Sequence, residues 1–458
     1  MVFSSTLFLF RFLPIAMAIY FLTPKKLKNL TIFILSLFFY SWGEVKYFPI
    51  MIVSVIVDYC AGQGIKRFGH KKLYRRLFLT MSLVVNLGML FFFKYSNFFI
   101  TNINALTGLA IPTISLALPL GISFYTFQTL TYTIDVYFNK VEPEDNIINF
   151  AAFVVLFPQL IAGPIVKYTD INRELKDRKV DLAQIEDGVK TFIYGVGKKV
   201  LIANNLGLLW DEAVAIGFEN LSTPMAWLAI TGFGLQIFFD FSGYSTMAIG
   251  LGKMLGFNFP QNFNYPYISK SVTEFWRRWH ITLGSFFREY LYIPLGGNRK
   301  GKMRTYINLF IVWFATGFWH GADWNFIFWG LFFFVFIVIE KAFLLKYLEK
   351  SKVLSRIYLL GLVLVSWAIF QITDLGQLGV YLTRMFAFDF GTDWLYYLRN
   401  YGVILIVGII FSIPVIPNLY KKIEHIKIVP IITCGIILVA SVAYLVDASY
   451  NPFLYFRF

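Results

Sequence analysis

The sequence predicts an all-α, polytopic membrane protein with about 11–12 transmembrane helices. Three observations predict it. Hydrophobic residues make up 58% of the 458 positions and charged residues only 15%, too few charges to cover a soluble surface. The mean hydropathy of +0.64 also excludes disorder, because a chain this apolar collapses in water. The apolar residues come in repeated runs near the ~20 residues that a helix needs to cross a hydrocarbon core.

In order, spans are expected at 4–23, 29–43, 47–65, 77–99, 115–138, 190–210, 224–250, 305–319, 324–340, 354–373, 400–419 and 427–446. The first resembles a signal segment at Ala16-Met17-Ala18, but it lacks a basic leading region and carries Arg11 within the apolar run. It is read as a retained helix. Lys25, Lys26 and Lys28 place the first connection inside, and Lys66, Arg67, Lys71, Lys72, Arg75 and Arg76 place the third there too. Residues 211–223 hold Asp211, Glu212 and Glu219 with no Lys or Arg, so that connection falls outside. Residues 341–356 and Lys421, Lys422 and Lys427 return inside. This pattern gives twelve crossings with both termini extracytoplasmic, provided that 149–164 does not cross. With Pro158, Gly163 and Pro164 in so short a run, that segment reads as re-entrant. Residues 251–304 mix Phe275, Trp276, Trp279, Phe286, Phe287 and Tyr290 with Arg277, Arg278 and Arg288. The mixture suits a helix lying at the cytoplasmic interface.

The net charge is +15. Its basic residues cluster in short loops, which fits orientation and lipid headgroups and argues against nucleic acid. Cys60 and Cys434 are far apart in apolar sequence, so neither a disulfide framework nor a CxxC metal site is present.

Four histidines exist. His70 and His425 lie in basic connections and read as solvated. His320 sits at the tip of a hairpin between the apolar runs 305–319 and 324–340. Runs of about 15 and 17 residues reach only about 22–26 Å, which would hold the tip below the outer surface. Two readings stand for it: a functional imidazole in the membrane, or a histidine bonded to a neighbouring carbonyl to fix the hairpin. As a neutral base it would take a proton from a hydroxyl attacking a carbonyl and return it to the leaving group. His320 and Asp323 alone make too small a ligand set, so no metal is expected. Asp240, Ser242, Tyr244, Lys198, Lys199, Asp135, Gln128 and Gln159 also fall in apolar runs. Buried polar groups need partners; an arginine is the expected partner of Asp240 or Glu274.

The stretches QIFFDFSGYSTMAIGLGKMLGFNFPQNFNYPY, SVTEFWRRWHITLGSFFREYLYIPLGGNRKG and FATGFWHGADWNFIFWG resemble the membrane-bound O-acyltransferase (MBOAT) family. The nearest likeness is to its alginate and peptidoglycan O-acetyltransferase branch. The resemblance runs over most of the chain, as a single domain over 1–458 with its signature at 236–330 and an aromatic tail at 450–458. It implies helices around a central acyl-transfer tunnel and an acyl group passed across the bilayer from a cytoplasmic thioester donor. It further implies acetyl-CoA as donor with no tightly bound cofactor, an extracytoplasmic partner protein, and an envelope polysaccharide as final acceptor. The family's invariant histidine maps onto His320 and its second histidine onto His280, which would assist donor placement or proton transfer. Thr246 stands where many relatives carry aspartate, so no role is assigned there. Arg277, Arg278 and Lys270 would bind the donor's phosphates, with lipid headgroups as the other reading. Tyr455, in the closing FLYFRF, looks like the acyl-carrying tyrosine of small partner proteins in teichoic acid D-alanylation; the alternative is an aromatic anchor at the interface. Three rival functions remain: a teichoic acid D-alanyl transferase, a transporter of lipid-linked sugar or acyl groups, and a membrane scaffold with an inactive histidine site.

Overall fold

The computed structural model describes residues 1–447 and residue 454. Helices dominate, and no strand occurs among the described residues. Among the described residues, seven helices are long and apolar enough to cross a membrane: Phe48–Arg67, Lys72–Thr107, Thr223–Met254, Trp324–Leu348, Lys352–Gln371, Asp393–Phe411 and Ile428–Asp447. The other expected runs fold as shorter or less apolar helices, among them Phe8–Leu22, Lys28–Gly43, Ile122–Tyr137 and Lys302–His320. The run expected at 190–210 is a helix interrupted by a π-helical segment, Lys198–Ala203, between Leu182–Gly197 and Asn204–Ile216. Lys72–Thr107 has 36 residues, about 54 Å at 1.5 Å per residue, and stops at Gly108, whose φ of 72° is a glycine cap.

The described chain forms two compact units, Met1–Phe192 with Met247–Pro260, and Ile193–Thr246 with Gln261–Phe458. In the first, Phe3, Phe8, Phe12, Phe39 and Phe157 pack ring against ring. The 149–164 segment breaks as its prolines require. Ile147–Val155 is capped by the Asn146 side chain, the chain turns at Leu156, and Phe157–Leu160 follows. Helices of 9 and 4 residues are too short to cross, and Phe150 through Pro164 are buried, which is how irregular backbone is tolerated at membrane depth.

In the second unit, Lys302–His320 and Trp324–Ile339 form the expected hairpin. Both helices are longer than the apolar runs suggested: 19 residues for the first, and 25 for the second through Leu348. They measure about 28 and 37 Å. Charged residues at the ends far from the tip had cut the apolar runs without ending the helices. Leu375–Phe386 was missed, being too short for a hydropathy run. It buries Leu378, Tyr381 and Met385 at helical spacing, and Tyr381 donates to the Ala226 carbonyl at 2.7 Å.

The helix expected within 251–304 is not one continuous helix. It is two short helices, Val272–Arg278 and Ile281–Phe287, followed by the π segment Arg288–Tyr292. They are broken at His280, whose φ of 44° is left-handed. Phe275, Trp279, Phe286 and Phe287 are buried. Trp276 packs on Trp313, Trp329 and Phe333 of the hairpin, so the segment is wedged into protein.

Candidate functional site

The site is built where the 272–287 break meets the hairpin. Two glycines allow the hairpin helices to touch. A Cβ on Gly317 would strike the Phe326 carbonyl, and one on Gly330 would strike that of Trp313. This close approach seats the last turn of Lys302–His320 beside Trp329. His320 is 3% exposed, with Trp329, Trp319 and Phe370 rings at 4.7, 4.8 and 5.6 Å. Its Nδ1–H donates to the Thr316 carbonyl at 2.7 Å. A carbonyl only accepts, so the proton is on Nδ1, and in the neutral ring Nε2 carries the basic lone pair. This bond satisfies both readings of His320, since it fixes the hairpin's last turn and orients a base.

His280 reaches the same place from the other element. It is fully buried, and its ring lies 4.7 Å from Phe241 and 6.3 Å from Trp319. Trp319 thus contacts both imidazoles. His280 Nδ1 is 3.1 Å from Asn262 Oδ1. That oxygen also accepts the Thr282 backbone N–H at 3.2 Å and the Thr282 hydroxyl at 2.9 Å. A backbone amide can only donate, which identifies the Asn262 atom as oxygen. Nδ1–H of His280 must therefore donate to it, and Nε2 is again the lone-pair nitrogen. Burial, with a smaller contribution from His320, holds His280 well below the usual histidine range. The two imidazoles share one tautomer and one dry, aromatic surrounding.

The basic residues divide. Arg278 is engaged, its guanidinium 2.9 Å from Glu274 and donating to the Asn264 carbonyl at 3.2 Å. Arg277 and Lys270 are exposed, and the backbone N–H of Lys270 donates to Glu274 at 2.9 Å. Glu274 thus has its arginine, whereas Asp240 does not. Asp240 pairs with Lys199 at 2.6 Å, and both are 1% exposed. Lys199 also donates to Asn204 at 2.9 Å. Lys198 donates to the Thr246 hydroxyl at 3.1 Å, which donates in turn to the Ser242 carbonyl at 2.6 Å.

Tyr455 lies outside the described residues. Its neighbour Leu454 is buried and donates its backbone N–H to Asp240 Oδ2 at 2.9 Å. Asp323, His70 and His425 are exposed. No group of three or more His, Cys, Asp or Glu that could hold a metal occurs among the described residues. Sequence reasoning missed Asn262. Its role arises from a contact across 18 residues, and an asparagine among aromatics carries no local signal of it.

Fold and site together define a polytopic membrane protein with a buried, paired-histidine centre. The model of the membrane-bound O-acyltransferase (MBOAT) family matches residues 144–375, a segment that contains both histidines. The chain is 41% identical over 399 residues to the probable alginate O-acetylase of Pseudomonas syringae pv. tomato, covering 86% of this chain and 76% of that one. It is 36% identical over 414 residues to the peptidoglycan O-acetyltransferase of Helicobacter pylori, covering 82% and 78%. A teichoic acid D-alanyltransferase of Streptococcus thermophilus is 30% identical over 247 residues, 50% of this chain and 58% of that one. The chain belongs to the membrane-bound O-acyltransferase family, and it is a multi-pass membrane O-acyltransferase.

Proposed function

We propose that the protein transfers acetyl from a cytoplasmic thioester, acetyl-CoA, across the inner membrane for O-acetylation of an envelope polysaccharide, through an extracytoplasmic partner. The observation that carries this reading is the pair of buried imidazoles, each with Nδ1–H committed to an oxygen and Nε2 left as the basic nitrogen. His320 Nε2 takes the proton of an acceptor hydroxyl as its oxygen bonds to the acetyl carbonyl carbon. The tetrahedral adduct then collapses, the C–S bond breaks, and the imidazolium returns the proton to the thiolate. His280, held neutral, receives a hydrogen bond or relays a proton beside it. Arg277 and Lys270, both exposed, would meet donor phosphates, while Arg278 would first have to leave Glu274.

Tyr455 is the proposed first acceptor, carrying acetyl as a phenolic ester. The reading is supported by the buried tie between its neighbour Leu454 and Asp240. The acetyl reading is favoured over D-alanyl transfer because the O-acetylating relatives match over more of the chain and at higher identity. The test is purified protein in nanodiscs with acetyl-labelled CoA, comparing wild type with Tyr455→Phe. The expected result is label on the C-terminal peptide of wild type and none on the variant. Label elsewhere, or equal label on both, removes Tyr455 as carrier. Transfer from a D-alanyl thioester and not from acetyl-CoA would move the assignment to the D-alanyl class.

A further inference from the structure

The first unit holds a buried carboxylate for which acyl transfer has no use. Asp58 lies within Phe48–Arg67 and is fully buried. Its Oδ1 accepts from the Ser82 hydroxyl and from Thr133 Oγ1 at 2.9 Å, and its Oδ2 accepts from Asn86 Nδ2 at 2.8 Å. These donors come from Lys72–Thr107 and Ile122–Tyr137, and all are neutral. Lys140 and Lys66 are spent elsewhere, on Asp135 at 2.9 Å and on Asp145 at 2.6 Å. The phenol of Tyr132 feels Asp58 and is neutral in the physiological range. A buried carboxylate served only by neutral donors leaves its charge uncompensated.

Two more buried oxygens belong to its neighbours. Asn86 Nδ2 also donates to the Ser82 carbonyl at 2.9 Å, which fixes that atom as nitrogen and the other as an acceptor oxygen. Asn86 Oδ1 has no hydrogen-bond donor among the described residues. Ser54, one helical turn before Asp58 and on the same face, likewise has an unpartnered Oγ. Both residues are fully buried. Oxygens gathered from neighbouring helices suit a hard cation, and one carboxylate balances a single positive charge. A divalent ion would leave a surplus positive charge in a dry interior.

We propose that Asp58, with Ser54, Ser82, Asn86 and Thr133, forms a buried site for one monovalent cation, either a sodium ion or a proton on the carboxylate. A bound sodium ion neutralises Asp58 and takes the two acceptor oxygens as ligands. A proton does the same by turning Asp58 into an acid whose O–H donates to one of them.

The experiment follows thermal unfolding of the full chain in detergent. Wild type and Asp58→Asn are titrated with sodium chloride against choline chloride at equal ionic strength, and each is then scanned from pH 5 to 8. A sodium site predicts a saturable rise in wild-type midpoint with sodium alone and a flat response in the variant. A proton site predicts no sodium effect, with the wild-type midpoint falling relative to the variant as pH rises. Wild type insensitive to sodium and parallel to Asp58→Asn at every pH would overturn the proposal and leave Asp58 as a helix cross-brace. Should Asp58→Asn fail to fold, labelled sodium binding to wild type and to Ser54→Ala decides the sodium arm, the variant needing more sodium. The wild-type pH scan against Ser54→Ala decides the proton arm, since losing an acceptor for the acid O–H lowers the midpoint most at low pH. Absence of both effects overturns it equally.

Discussion

At His280 the protonation state follows from a short chain of donors. The Thr282 amide fixes the Asn262 oxygen, which fixes Nδ1–H, which leaves Nε2 basic. Replacing Asn262 with Asp puts a carboxylate on that N–H and favours the imidazolium. Asn262→Asp is therefore expected to move the acid limb of the thioester-cleavage profile to higher pH. Asn262→Leu strands the buried donors and costs about 1–3 kcal/mol in stability for each, without that movement. The sign of the stability effect follows from the depressed His280 value. Above the unfolded histidine value, about 6.5, both states are neutral and the full stability is present. Below it the unfolded chain binds the proton first, so stability falls with decreasing pH, by up to about 1.4 kcal/mol per pH unit. Unfolding followed from pH 8 to 5 checks this, and a profile flat across that range would contradict it.

The hairpin shows how an element positions chemistry. Its two helices meet at Gly317 and Gly330, where any Cβ would enter opposing backbone. Gly317→Ala is expected to cost about 1–3 kcal/mol by forcing the helices apart, read as a lower unfolding midpoint. Activity falls with it because His320 sits one turn away. The sequence located this hairpin to within a few residues because its apolar runs and the FWHGADW turn are local signals. The break at His280 was not legible: a left-handed histidine between aromatics is set by the Asn262 and Thr282 contacts. Leu375–Phe386 was hidden for a different reason, being amphipathic and only 12 residues long.

Across the molecule, the helical membrane class was readable from composition, and His320 and His280 from the stretches that resemble the family. The partners of those histidines were not, since Asn262, Thr316 and Trp329 acquire roles only once the chain is folded. The same holds for the Lys199–Asp240 pair, buried within the second unit. Removing one member leaves an uncompensated charge, so Lys199→Met is expected to destabilise by about 3–5 kcal/mol. Lys199→Met with Asp240→Leu should recover much of that loss, although the double variant loses the contact to Leu454. A double variant no more stable than the single would contradict this account of the pair.

The central claim is that His320 is the base of an acyl transfer. Its most direct measurement is cleavage of acetyl-CoA by purified wild type and His320→Ala in nanodiscs, with unfolding midpoints measured alongside. Turnover is expected in wild type and a loss of about 10²–10⁴-fold in the variant, both measured at a temperature well below either midpoint. Equal turnover in the two proteins would contradict it and leave His320 as the residue that fixes the hairpin.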